Sequence, residues 1–277
     1  IIHYFGFSQP LHELKKLCED KGLFLIEDCA HAFMSKNGDK YLGTYGDFGI
    51  LSIQKSLPVL NGGVLLSNKR RYHKLIKLDN PNIRSVVRVL VIKTLNNVEF
   101  KHGTIYKVIN ACLLFPMKKI FHLFKGKRDL GIISPGSINF NLKMANLAMS
   151  KISKKILNNI DLEEMVAIRR ANYEFLFQAL KDLPEIKISF SYLPEGTCPC
   201  FMPIQVEGSR KIHTKLLEKG VSAFIFGEFL HKTLPEKGFD NARYFSKNIL
   251  ALPIHQDLEE RHLTYMVDAI KNVLRDC

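Results

Sequence analysis

The chain has 277 residues, of which 46% are hydrophobic and 24% charged, so it can fill one large or two modest cores and has none of the composition of a disordered chain. Its net charge of +13 would suit nucleic acid, an anionic membrane surface or phosphorylated substrates, yet no nucleic-acid motif accompanies it. The longest apolar runs, V-V-R-V-L-V-I-K and A-C-L-L-F-P, are broken by charge or proline and are too short to span a bilayer.

The opening I-I-H-Y-F-G-F has neither a basic n-region nor a cleavage site, so it is no signal peptide; it reads as the first strand of a sheet that continues upstream. Residues 10–21 place apolar side chains at 11, 14, 17 and 18, with Pro10 at the start and Gly22 just past the end, which predicts a helix. L-F-L-I-E-D follows as a buried parallel strand whose end presents Glu27 and Asp28. Further strands are predicted at about 47–53 and 63–67, and a helix at about 68–78. The stretch 82–130 has helical segments and a basic run at 117–128. That run reads as a solvated helix or loop, or alternatively as an amphipathic segment facing a membrane or an anionic partner.

From 140 to 182 the periodicity predicts one or two helices. Strands at 200–206, 221–226 and 249–254, a helix at 209–220 and a final amphipathic helix at 257–275 complete the chain. The expected domains are an α/β remainder of a large domain at 1–135, a connecting helical segment at 136–184 and a smaller α+β domain at 185–277. Six cysteines form no spaced framework. Cys198-Pro-Cys200 is a lone C-x-C, so no metal site is expected, and reduced thiols in a cytoplasmic protein are the default.

Three residues stand out chemically. Asp28 ends one predicted strand, and Lys55 follows another, with Ser52 before it and Gly62-Gly63 after it. A carbonyl cofactor needs an amine, an acid for its ring nitrogen and donors for its phosphate, and neighbouring parallel strands bring such ends together. Taken singly, the same residues are also a turn former, a solvated lysine and a hairpin glycine pair.

The runs H-Y-F-G, then L-F-L-I-E-D-C-A-H-A-F, then K-Y-L-G-T-Y-G-D-F-G-I-L-S-I-Q-K-S-L-P-V-L-N-G-G-V-L-L-S-N occur in one order over residues 3–68. Together they resemble the DegT/DnrJ/EryC1/StrS aminotransferases, and weaker similarity continues through I-N-F-N-L-K-M-A-N-L-A-M and L-A-L-P-I-H. The resemblance implies the fold-type-I, aspartate aminotransferase-like α/β architecture of pyridoxal 5'-phosphate (PLP) enzymes, with an incomplete large-domain sheet and an N-terminal segment outside this sequence.

It further implies that Lys55 is the Schiff-base lysine and Asp28 the partner of the pyridine nitrogen. His31 would lie beside the ring hydroxyl, and Ser52 would bind the phosphate. Asn141 would reach the phosphate from a neighbouring subunit, hence a homodimer with shared sites. The sequence departs from the family in a shorter loop between Ser52 and Lys55, in Asn61 where an acid is common, and in Lys143 where Arg is common. The implied activity is amino transfer from an amino acid, glutamate in most of the family, to a keto-sugar nucleotide. The alternatives are a non-catalytic remnant serving as a binding or scaffold protein and, against the presence of Lys55, a PLP-dependent sugar dehydratase.

Overall fold

A computed structural model describes residues 1–69, 77–101, 146–235 and 237–276; of the side chains at 95–101 nothing is said. The helix expected at 68–78 and the basic run at 117–128 fall largely or wholly outside the described residues, as do Asn141 and Lys143. The chain forms two compact units, Ile1–Leu57 with Gly63–His73 and Ile160–Cys277, and Pro58–Gly62 with Lys74–Asn159.

The first unit begins with helix α1 (Leu11–Lys21), which stops at Gly22. Gly22 adopts φ 62° there, and its amide and that of Leu23 close onto Glu19 and Cys18 carbonyls. Strand β1 (Ile26–Cys29) follows, then a two-residue hairpin pair, β2 (Lys36–Asn37) and β3 (Lys40–Tyr41), which lies where no strand is predicted. Strand β4 (Phe48–Ser52) pairs parallel with β1, and β5 (Gly63–Ser67) pairs antiparallel with β4.

The expected opening strand is reduced to one bridge, Ile2 to Asp28, with His3 N–H on Asp28 O at 3.0 Å and Asp28 N–H on Ile1 O at 2.8 Å. The chain then leaves the sheet because Phe5 and Gly6 take φ 58° and 99°, a turn that no strand accommodates. A Cβ on Gly6 would lie 2.3 Å from the Cys198 carbonyl oxygen.

Helix α4 (Leu162–Leu180) opens on Asp161, whose carboxylate accepts from the Glu163 and Glu164 amides at 3.0 and 2.9 Å. A four-stranded antiparallel sheet follows, in the order β6 (Lys187–Ile188), β7 (Phe201–Gln205), β9 (Ile249–Pro253), β8 (Phe224–Ile225). The predicted strand 221–226 thus survives only as β8. Helix α5 (Ser209–Glu218) and the short polar helix α6 (Asp240–Asn248) connect the strands, and α7 (Glu260–Arg275) ends the unit.

Leu263, Met266, Val267, Ile270 and Val273 of α7 recur at helical spacing and are buried. They share one core with Tyr173 and Leu176 of α4, Met202 and Ile204 of β7, and Leu250 and Leu252 of β9. Phe7, stacked on Phe190 with ring centroids 3.7 Å apart, joins the same core.

The second unit contains α2 (Ile83–Lys101) and α3 (Lys151–Leu157). Asp79 bridges Leu147, and Lys93 donates to the Val59 carbonyl at 2.7 Å, its ammonium pKa pushed down by burial. Asn61 donates through Nδ2 to Ala148 O at 3.2 Å and accepts through Oδ1 from Ser150 N and Ser153 Oγ at 3.0 and 2.9 Å. The first of these bonds needs an amide N–H, which an ionised carboxyl could not supply. Gly62 takes φ 129° with the Met149 side chain against it. Among the described residues no helix is long and apolar enough to cross a membrane.

The loop between β3 and β4 and the start of β4 have no room at Gly46 and Gly49. A Cβ on Gly46 would lie 2.5 Å from Leu25 O, and one on Gly49 2.3 Å from Gly43 O. Gly46→Ala is expected to cost about 1–3 kcal/mol through forced backbone shifts, read as a lower urea midpoint; an unchanged midpoint would show that the loop yields freely.

Candidate active site

Side chains alternate across a strand, so the adjacent acids Glu27 and Asp28 point to opposite faces of the sheet. Glu27 points inward and is fully buried. Its carboxylate accepts from the amides of Gly43, Tyr45 and Gly46 at 2.8, 2.7 and 2.7 Å and meets His3 Nε2 at 3.2 Å. His3 Nδ1 accepts from the Gln9 amide at 3.2 Å, which assigns the proton to Nε2 and makes His3 the donor to Glu27. Burial pushes the Glu27 pKa up, but the bonds from His3, Gly46, Gly43 and Tyr45 outweigh it and hold the carboxyl below its ordinary value.

Cys29 lies beside this group, and the three ligand-type atoms of His3, Glu27 and Cys29 fall within 4.8 Å of one another. Burial and the neighbouring Glu27 and Asp28 push the Cys29 thiol up to about 12. A protonated thiol beside an acid already bonded four ways makes a hydrogen-bonded knot and a poor metal cage.

Asp28 points to the other face and is half-buried. Its Oδ1 accepts from the Ala30 amide at 2.9 Å, and its own peptide is held by residues 1 and 3. Asp28 pairs in register with Ile50, so Ser52, two residues on at the end of β4, shares its face and its end of the sheet. Lys55 follows on a single 3-10 turn, Ile53–Lys55, whose tight geometry advances the chain about 6 Å beyond Ser52. Ile53, Ser56 and Leu57 are buried around it, while Lys55 is exposed. The shorter loop is thus accommodated by one compact turn.

His31 connects these groups. Burial, joined by the Lys55 ammonium and opposed by the Asp28 carboxylate, lowers its pKa to about 4. His31 therefore lies within electrostatic reach of both Lys55 and Asp28. Nδ1 of His31 accepts from the Phe5 amide at 3.5 Å, leaving a neutral ring with its proton on Nε2. Tyr4, Phe5, Phe201 and Phe226 surround the ring at centroid distances of 6.5, 5.8, 6.0 and 5.6 Å. Asn141 lies outside the described residues.

A second set of groups holds the backbone of this loop. The Cys200 thiol donates to Lys55 O at 3.9 Å, and Arg169 donates to Ser56 O at 3.0 Å. Arg169 is marked by no sequence motif, and Cys200 only by the lone C-x-C of Cys198-Pro-Cys200. The one available signal is that Arg169 stands on the buried stripe of α4, four residues after Met165 and four before Tyr173.

An amine, a fixed carboxylate and a neutral imidazole at the C-terminal ends of adjacent parallel strands define the ligand edge of an open α/β sheet. The family model for the DegT/DnrJ/EryC1/StrS aminotransferases matches residues 1–271, and the chain belongs to that family. GDP-perosamine synthase of Vibrio cholerae is 28% identical over 141 residues, covering 48% of this chain and 35% of that enzyme. UDP-4-amino-4,6-dideoxy-N-acetyl-beta-L-altrosamine transaminase of Campylobacter jejuni is 23% identical, covering 99% of this chain and 65% of that enzyme.

Among solved structures, Helicobacter pylori PseC, an aminotransferase involved in the biosynthesis of pseudoaminic acid, superposes with a TM-score of 0.64 at 17% identity, covering 100% of this chain and 66% of that one. The chain therefore spans about a third of the first relative's length and about two thirds of the other two. The fold is that of the fold-type-I PLP enzymes, and the family is PLP-dependent.

The residues present fit that cofactor. A half-buried carboxylate suits a protonated ring nitrogen, an exposed amine on a fixed turn suits an aldehyde, and an uncharged imidazole donor suits an oxygen on the ring.

The His31 environment is directly testable. The unfolded chain takes up a proton near pH 6.5 and the folded site refuses it until about 4. Stability contributed by neutral His31 is thus complete above 6.5 and is lost as pH falls from 6.5 towards 4. The His31 Cε1–H resonance is expected to titrate near 4, to move up in Lys55→Met and down in Asp28→Asn. A midpoint near 6.5 would mean an exposed ring.

Proposed function

We propose that this chain carries the cofactor-holding part of a sugar aminotransferase, which moves an amino group from an amino acid, glutamate by preference, to the keto group of a nucleotide-linked sugar. Such a product belongs to the building of surface polysaccharides or glycosylated metabolites. The observation that carries this reading is the convergence of Asp28, His31 and Lys55 at one end of β1 and β4. The sugar-nucleotide names of the V. cholerae and C. jejuni relatives favour the acceptor class.

PLP, when bound, supplies the electron sink for breaking a bond at the donor's α-carbon. Lys55 Nζ would hold the cofactor's carbonyl carbon and, once displaced by the donor amine, carry the proton off the donor's α-carbon and return it on the cofactor side. The Asp28 carboxylate would keep a proton on the pyridine nitrogen. His31 would donate one hydrogen bond from Nε2 and add no charge. The Ser52 hydroxyl, with Asn141 of a second copy, would bind the phosphate in a cytoplasmic homodimer. The net charge of +13 suits an acceptor bearing a diphosphate. A lysine at position 55 favours transamination over the dehydration chemistry of family members that have histidine there.

Protein purified from its whole reading frame is expected to show a visible PLP absorbance that borohydride fixes onto Lys55. Lys55→Ala should abolish the label and lower amination of keto-sugar nucleotides, followed as 2-oxoglutarate released from glutamate, by about 100-fold or more. Label on another residue or on none would remove the Lys55 assignment. Labelled protein that aminates no keto-sugar nucleotide would remove the substrate class.

A further inference from the structure

Arg169 is 2% exposed, on a helix stripe whose other buried members are Met165, Asn172, Tyr173, Leu176 and Leu180. A guanidinium keeps its charge at every accessible pH, and burying it is costly unless its donors are paired. Among the described residues no carboxylate forms an ion pair with it; its partners are neutral oxygens reached from all three corners of the fork. Nε donates to Gln256 Oε1 at 3.0 Å, Nη1 to Pro199 O at 3.4 Å and Cys200 O at 3.2 Å, and Nη2 to Ser56 O at 3.0 Å. Gln256 Nε2 also donates to Ser56 O at 3.3 Å, and the Cys200 thiol reaches Lys55 O. Three groups from distant parts of the sequence therefore converge on two consecutive carbonyls, both in the turn that presents Lys55.

We propose that Arg169 is a positioning residue, whose fork fixes the Lys55–Ser56 backbone and so sets where the Lys55 amine stands relative to Asp28 and His31. The inference rests on the reading of Lys55 as the cofactor lysine. A role in core packing alone would be met by an apolar side chain of similar volume, as Met165, Leu176 and Leu180 on the same stripe show. A role in charge alone would be met by lysine. The fork is needed only if acceptors in three different directions must be held at once. Cys200 takes part a second time, because its amide donates to Phe5 O at 2.9 Å while the Phe5 amide donates to His31 Nδ1. The same few residues thus hold both the lysine turn and the imidazole.

The test compares Arg169→Met and Arg169→Lys with the wild-type full-length protein, by amide hydrogen exchange without cofactor and by borohydride-fixed PLP labelling. In Arg169→Met, amides 53–57 are expected to exchange about tenfold faster while those of β9 keep their wild-type rates. The share of label at Lys55 should fall with them. Arg169→Lys, which keeps the charge and lacks the fork, should loosen the same turn.

Equal acceleration in β9, wild-type exchange at 53–57, or full restoration by Arg169→Lys would each overturn the proposal. Should Arg169→Met not fold, Gln256→Leu removes one bond to Ser56 O and the acceptor of Arg169 Nε, and should give the same local pattern at smaller size. Wild-type protein that takes no label at Lys55 would remove the cofactor-lysine reading while the exchange measurement still decides the clamp.

Discussion

The pairing of buried Glu27 with His3 and with three amides of the glycine loop is the constraint on which the N-terminal part of the structure depends. A carboxylate with no exposure must have its lone pairs met, and each charge-assisted bond of this kind is worth about 1.5–3 kcal/mol. Meeting that demand pulls residues 43–46 tight against the end of β1, which only glycine at 46 and 49 permits. The loop then delivers β4 in parallel register beside β1. Asp28 and Ser52 end on a common face because Glu27 is locked to the opposite one. The site thus inherits its geometry from an acid that takes no part in it.

The lysine turn follows a related rule. Ile53, Ser56 and Leu57 are buried and their backbone is bonded, while the one side chain between them that must move is exposed. A reactive group on a fixed backbone pays little entropy to reach its partner. The neutral imidazole beside it adds no competing charge.

Much of this was legible in the sequence. The helical spacing and glycine stop of α1, the apolar runs of β4, β7 and β9, and the stripe of α7 gave elements close to those observed. The opening segment differs from the expected strand because I-I-H-Y-F is apolar enough for one, while nothing in it announces a positive φ at Phe5. Helix α6 is hard to see in the sequence because D-N-A-R-Y-F-S-K-N is short and strongly polar, even though its few apolar residues share one face. Asp28, Ser52 and Lys55 could be singled out by type and order, but only the resemblance joined them to a cofactor. Arg169 left almost no trace, since a periodic pattern treats an arginine as solvent-facing and its partners are main-chain oxygens, which every residue has.

Asn61 has a further consequence. Asparagine followed by glycine is the dipeptide most prone to lose ammonia, because the next amide nitrogen can attack the side-chain carbon with no Cβ in the way. Here three hydrogen bonds pin the carboxamide against Ala148, Ser150 and Ser153. Ring closure would have to break them together, so folding protects the linkage. Once the change has occurred in an unfolded chain, the acid formed has no proton to give Ala148 O and sets a negative charge against it. The unit would then refold less stably, so the same three bonds that hold the loop also guard its covalent structure.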